Sequence, residues 1–390
     1  MRARDGTAWG WVRAALASCV LLLSGCTLSD SLQHNEFFSV WSEPATTQPM
    51  FFVTDRDAEG KVLAQHWGAS LHCGRMEVPV PSGPYVANFE TDFTPCESPA
   101  ALKTFVDQVA AASRQRNCNG VLLFVHGYNT TFRSALLRSG QVAHDLQWPC
   151  ATLLFSWSSE GQFDRYVADA ERSGYAVPPL IQLLRQLGAE KLTINILAHS
   201  MGTRITLSAL GGLCAEGAAP VYQLVLAAPD VGAEAGNDDF GHLLARDKTC
   251  IGRTTIYASE NDRALMISES VHGGIPRAGR LPLQDRQYLG SEFGHVDLVD
   301  ASLAPGDPAG HGYFALSYEM VDDMMWVMAG RAIESRAASG GPGERTLDCR
   351  DSAAVDCSGG HYVLLVSEER RPDAVSRLAR RLLALIYTIR

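Results

Sequence analysis

The sequence predicts an α/β protein whose mostly parallel central sheet carries helices on both faces, with a small C-terminal extension. Three observations lead there. Short, uninterrupted apolar runs such as "GVLLFVHGYN" (120–129) end in turn residues, the pattern of strands buried on both faces. Stretches with helical spacing separate these runs, and strands alternating with helices build parallel sheets. Finally, 46% hydrophobic and 19% charged residues in a chain of 390 are ordinary for a globular protein with a sizeable core.

Residues 1–25 read as a lipoprotein signal peptide. Arg2, Arg4 and Arg13 supply positive charge, and "AALASCVLLL" (14–23) is an apolar core shorter than the ~20 residues that span a bilayer. Leu23-Ser24-Gly25-Cys26 resembles a lipobox, so Cys26 is expected to be acylated and to anchor the protein to a membrane, with Thr27 after it implying the outer membrane and a periplasm-facing domain. Removing 1–25 changes the net charge from −10 to −12, because three arginines and one aspartate leave. That acidic balance, with no basic stripe, argues against nucleic acid as a partner.

A polar tether (26–45) leads to the main domain, 46–335, and 336–390 is expected to be a linker with a strand and a helix. "MFFVTDRD" (50–57) and "CGRMEVPV" (73–80) read as strands and "ALKTFVDQVAAAS" (101–113) as a helix. The runs 120–129, 151–157, 192–198, 222–228, 254–259 and 295–300 are the succeeding strands. Val177, Leu180, Ile181, Leu184 and Leu187 trace a helix face, "YFALSYEMVDDMMWVMA" (313–329) reads as one helix, and "YVLLV" (362–366) as a short strand before a basic amphipathic helix. The eight cysteines after Cys26 allow up to four disulfides, with Cys349–Cys357 the first pairing to test.

Functional groups in open parallel sheets gather at the carboxyl ends of strands. Ser200, in "ILAHSMGTR", follows one such strand and precedes a helix, flanked by Ala198 and Gly202 as a sharp strand-to-helix turn requires. His126-Gly127 ends another strand, and the N–H groups of Tyr128 and Met201 are the candidate donors for an oxyanion. His126 itself is expected to be a buried structural histidine. Asp262 in "YASENDRAL" is the candidate acid, ahead of Asp230 and Glu260. For the base, the histidines after Asp262 are His272, His295, His311 and His361; His311, in a glycine-rich loop before a helix, is favoured. Ser200, Asp262, His311 is the chain order of α/β-hydrolase triads. No Cys-x-x-Cys or His-Glu-x-x-His pattern is present, and the chemistry calls for no metal or cofactor.

Taken in order, "FFVTDR", "LFVHGYN", "FSWSSEG", "ILAHSMG", "LAAPDV", "YASENDRAL" and "GHGYF" resemble the motifs of a bacterial α/β-hydrolase family, the domain-of-unknown-function nine-hundred group, described as esterase- or lipase-like. The resemblance spans roughly residues 50–330. It implies the α/β-hydrolase fold, with Ser200 as nucleophile, Asp262 as acid and His311 as base, acting on an ester-bearing small molecule or lipid. Ser158 stands where the family usually has proline and Gly312 where serine is common. Tyr166 and Asp169 match a Tyr-x-x-Asp stretch to which the sequence assigns no role. An acyltransferase would use the same three residues, and a non-catalytic envelope scaffold would keep the fold alone.

Overall fold

A computed structural model describes residues 46–60, 62–80, 92–217, 221–233, 251–280, 296–333, 336, 347–349 and 362–364. The central strand β4 (Gly120–Val125) shows what the apolar runs do. Val121, Leu123 and Val125 enter one core cluster while Leu122 and Phe124 enter the other. A two-residue repeat with both faces buried leaves no polar position, hence the continuous run.

Around it lie β1 (Thr46–Glu59), β2 (Val62–Val80), β3 (Phe93–Pro95), β5 (Ala151–Ser156), β6 (Thr193–His199), β7 (Val221–Ala227), β8 (Ile251–Ala258), β9 (Val296–Asp300), β10 (Leu347–Cys349) and β11 (Tyr362–Leu364). They form one sheet in the order β10-β11-β9-β8-β7-β6-β4-β5-β1-β2-β3. From β11 to β1 every neighbouring pair is parallel; β2, β3 and β10 add antiparallel margins. The fold class is therefore the mostly parallel, doubly covered sheet expected.

One face carries α1 (Pro99–Arg114), α4 (Val177–Ala189) and α5 (Met201–Ala215), which bury Phe105, Leu184 and Ile205 together. The other carries α2 (Phe132–Asp145), α7 (Tyr313–Leu316) and α8 (Tyr318–Met328), with Leu136, Phe314 and Met324 in its core. Local signals set the helix starts. Ser98 accepts the Ala101 N–H at 3.2 Å and Thr131 that of Ser134 at 3.1 Å. The remaining α-helices among the described residues, α3 (Tyr166–Tyr175) and α6 (Arg263–Val271), lie on the connections after β5 and β8.

Three readings change in detail. The first two strands are longer than 50–57 and 73–80 and form one hairpin, because their outer residues alternate with polar ones that hide the strand. The single helix over 313–329 is broken at Ser317, whose backbone is extended (φ −104°, ψ 124°) and whose hydroxyl caps Met320 N at 3.3 Å. And strand residues 362–364 do not stand apart: β11 pairs with β9, so the extension widens the same sheet. Arg336 is fully buried and bonds Asp323 at 2.5 Å and Asp297 at 3.1 Å.

Disulfides join Cys73 to Cys96 and Cys118 to Cys150. Each fastens neighbouring strands or the turns that enter them. The Cys349–Cys357 pairing, the C-terminal helix and residues 1–45, Cys26 included, lie outside the described residues.

Candidate active site

The turn at Ser200 is strained. Its φ of 52° and ψ of −126° are unusual for any residue with a side chain, a departure that costs of order 1–3 kcal/mol. The surroundings enforce it: Ser200 N donates to Ala227 O at 3.0 Å, while Ser200 O accepts from Thr203 N at 3.0 Å and Asp230 N at 3.3 Å. A Cβ on Gly202 would collide with His126 O and lie 2.6 Å from Val125 O; one on Gly127 would lie 2.7 Å from Ser200 Cβ. Both glycines are thus required by close approach. Ala198, fully buried, shows that a methyl fits at the remaining flank.

Met201 opens α5, so its N–H is one of the four that a helix leaves without an internal acceptor, at the end where the dipole favours negative charge. Tyr128 follows Gly127. Its hydroxyl bonds Phe163 O, and its ring meets Tyr166 edge-on at 5.2 Å. His126 is buried, with Nδ1 on Gly127 O at 2.8 Å, Nε2 on Ser156 Oγ at 3.3 Å and its ring stacked on Trp157. Burial, aided by the Arg56 charge, pushes its pKa down to about 3, so it is neutral at ordinary pH.

Asp262 is completely buried and divides its oxygens between two tasks. Oδ1 caps α6 by accepting the Leu265 N–H at 2.9 Å; Oδ2 lies 2.7 Å from His311 Nδ1. Burial disfavours charge on His311, but the Asp262 carboxylate overcomes it and the imidazole pKa is raised. Burial pushes Asp262 itself upward, against the pull of His311. His311 is docked onto the residue before the serine: His199 Nε2 lies 3.4 Å from His311 O and the ring centroids are 4.7 Å apart. Asp262 and His311 are therefore paired at the carboxyl rim of the sheet, and His311 packs on His199, the residue before Ser200.

The competitors are otherwise engaged. Asp230 accepts from Tyr166 Oη and Ser268 Oγ, both at 2.6 Å, and pairs with Arg277 at 3.4 Å. Glu260 is exposed. His272 ends α6 with Nδ1 2.8 Å from Ser268 O, and His295 and His361 lie outside the described residues. The Tyr-x-x-Asp stretch acquires a role here. Tyr166 ties α3 to Asp230, and Asp169 accepts from Ser159 Oγ at 2.6 Å, Glu160 N at 2.9 Å and Asn129 N at 3.4 Å, bracing the turn that carries Tyr128. Sequence reasoning also missed His199, which no motif distinguishes from the nucleophile's other neighbours. Among the described residues no group of three or more His, Cys, Asp or Glu side chains is arranged to hold a metal ion.

The model of a family described as alpha/beta hydrolase of unknown function (DUF900) matches residues 101–331. The chain belongs to that family. No curated protein matches it. The DUF900 match covers β4 through α8, and so includes Ser200, Asp262 and His311, while the β1–β2 hairpin and the extension fall outside it.

One buried carboxylate at the same rim stands apart from this chemistry. Asp55 is 2% exposed, and burial, opposed by the Arg56 charge and by the neighbouring Ser158, pushes its pKa up to about 6. A folded-state value above the unfolded one makes stability fall as pH rises from about 4 to 6, and the penalty persists above that. Asp55→Asn is accordingly expected to gain roughly 2–3 kcal/mol at pH 8 and almost nothing below pH 4, read from urea unfolding midpoints. An unchanged difference across that range would refute it.

Proposed function

We propose that this DUF900 hydrolase is a serine hydrolase that cleaves an ester through an acyl-enzyme. The observation that carries the reading is the 2.7 Å contact of a fully buried Asp262 with His311, itself docked on His199, the residue before the strained Ser200. His311 takes the Ser200 Oγ proton as the oxygen attacks the ester carbonyl carbon. The N–H groups of Tyr128 and Met201 hold the resulting oxyanion, and Asp262 stabilises the imidazolium. The imidazolium then returns its proton to the departing alkoxide as the carbonyl re-forms. Water, deprotonated by His311, attacks the acyl-Ser200 carbonyl, and the imidazolium gives that proton to Ser200 Oγ as the C–O bond breaks and the acid leaves.

The test is labelling of the purified protein with a fluorophosphonate probe. Wild type should label at one site and Ser200→Ala should not, with ester hydrolysis falling at least ~10³-fold in the variant. Labelling that survives the substitution would end the proposal. An acyltransferase would label equally and differs only in the acceptor that replaces water.

The lipobox supports a membrane-anchored location for this activity, at the outer membrane and facing the periplasm. Cys26→Ser is expected to move the protein to the soluble fraction, and unchanged sedimentation with membranes would contradict the anchor.

A further inference from the structure

His311 sits in a loop that one acidic side chain closes. Asp307 O accepts the Gly310 N–H at 2.9 Å, Asp307 Oδ1 accepts the His311 N–H at 2.9 Å, and Oδ2 accepts the Gly312 N–H at 3.2 Å. The loop is also held from outside. Arg263 N donates to Ala309 O at 2.9 Å, and His199 Nε2 lies 3.4 Å from His311 O.

Two glycines make this closure sterically possible. Gly310 has φ +66°, and a Cβ there would lie 2.5 Å from Asn261 O, so the loop reaches Asp262 only without a side chain at 310. A Cβ on Gly312 would lie 2.9 Å from Asp307 Oδ2. The absence of a side chain at 312 therefore leaves room for the Asp307 carboxylate.

The geometry assigns Asp307 as a positioning residue for His311: its carboxylate grips the peptide N–H groups on either side of the His311 Cα and holds the imidazole on Asp262. Its catalytic consequence rests on the serine-hydrolase reading; the grip itself does not. Asp307 also acts through its charge. The groups facing His311 are Asp262 at the start of α6, Asp230 after β7, neutral His199 at the end of β6 and Asp307 in its own loop. Burial opposes protonation of the imidazole, and Asp262, then Asp307 and Asp230, favour it.

The full chain bearing Asp307→Asn or Asp307→Ala tests this. Asn retains an acceptor and removes the charge; Ala removes both. The His311 imidazole, assigned by its loss in His311→Asn, is titrated by nitrogen NMR, and the rate of fluorophosphonate labelling is followed against pH per folded molecule. Both variants should lower the His311 pKa by roughly half to one unit. Labelling should slow about tenfold or more in Ala and less in Asn. If Ala does not fold, Asn alone decides through the titration. An unchanged His311 pKa together with wild-type labelling, even at a lower melting temperature, would reduce Asp307 to an ordinary loop residue and overturn the assignment. Failure of wild type to label would sink the hydrolase reading instead, while the NMR shift would still decide for or against Asp307.

Discussion

Asp262→Asn is expected to lower kcat/KM on any ester substrate by about 10⁴-fold while leaving the fold intact. The amide can still cap α6 through its oxygen, preserving the Leu265 N–H contact at 2.9 Å. It cannot stabilise an imidazolium, and the group facing His311 Nδ1 at 2.7 Å becomes either a second donor or an acceptor without charge. The pH dependence follows the sign of the shift. A general base must be neutral in the free enzyme, so kcat/KM should rise with pH through a His311 pKa that the carboxylate holds above its ordinary value. With Asn the residual activity should titrate at lower pH. Stopped-flow measurement of acylation from pH 5 to 9 reads both quantities. A variant within tenfold of wild type, with the same acid limb, would remove Asp262 from the mechanism.

Arg336→Ala should cost roughly 3–5 kcal/mol of stability, among the largest effects available outside the site. The guanidinium is fully buried between Asp323 of α8 and Asp297 of β9. Asp323 also accepts the Tyr257 hydroxyl at 2.5 Å, and Asp297 is held by Arg253 at 2.6 Å. Removing the arginine strands carboxylates whose remaining partners do not neutralise them all. Arg336→Met is expected to lose nearly as much, since it restores volume without charge. Denaturant unfolding at pH 7 measures the difference, and a loss under about 1 kcal/mol would show that water replaces the guanidinium without penalty.

The parallel strands were legible because burial on two faces leaves them almost wholly apolar, as in Val121–Val125 and, apart from the buried Asn195, Ile194–Ala198. The elbow was legible for a related reason. Only small residues survive where the backbone of Val125 and His126 presses on α5, and Gly202 records that contact in the sequence. The β1–β2 hairpin was less so, since its strands run past their buried stretch into exposed polar residues such as Thr46, Thr47, Gln65 and His66. The break at Ser317 was hidden because residues on either side of it, such as Phe314 and Met324, continue the apolar pattern into one core. Least legible were the supporting contacts. Asp169, His199 and Asp307 act through partners 40, 112 and 4 residues distant, and polar residues in turns carry no periodicity from which such pairings follow.

The direction of β1 has a bearing on where this protein meets its substrate. Running parallel to β5 and β4, it begins at Thr46 and comes level with the strand end at Thr54, eight residues or about 26 Å later. The segment from Cys26 thus enters the domain at the foot of the sheet, and Ser200 stands at its head. With Cys26 acylated as proposed, a lipid-held foot would turn that head outward, toward molecules arriving from the aqueous side.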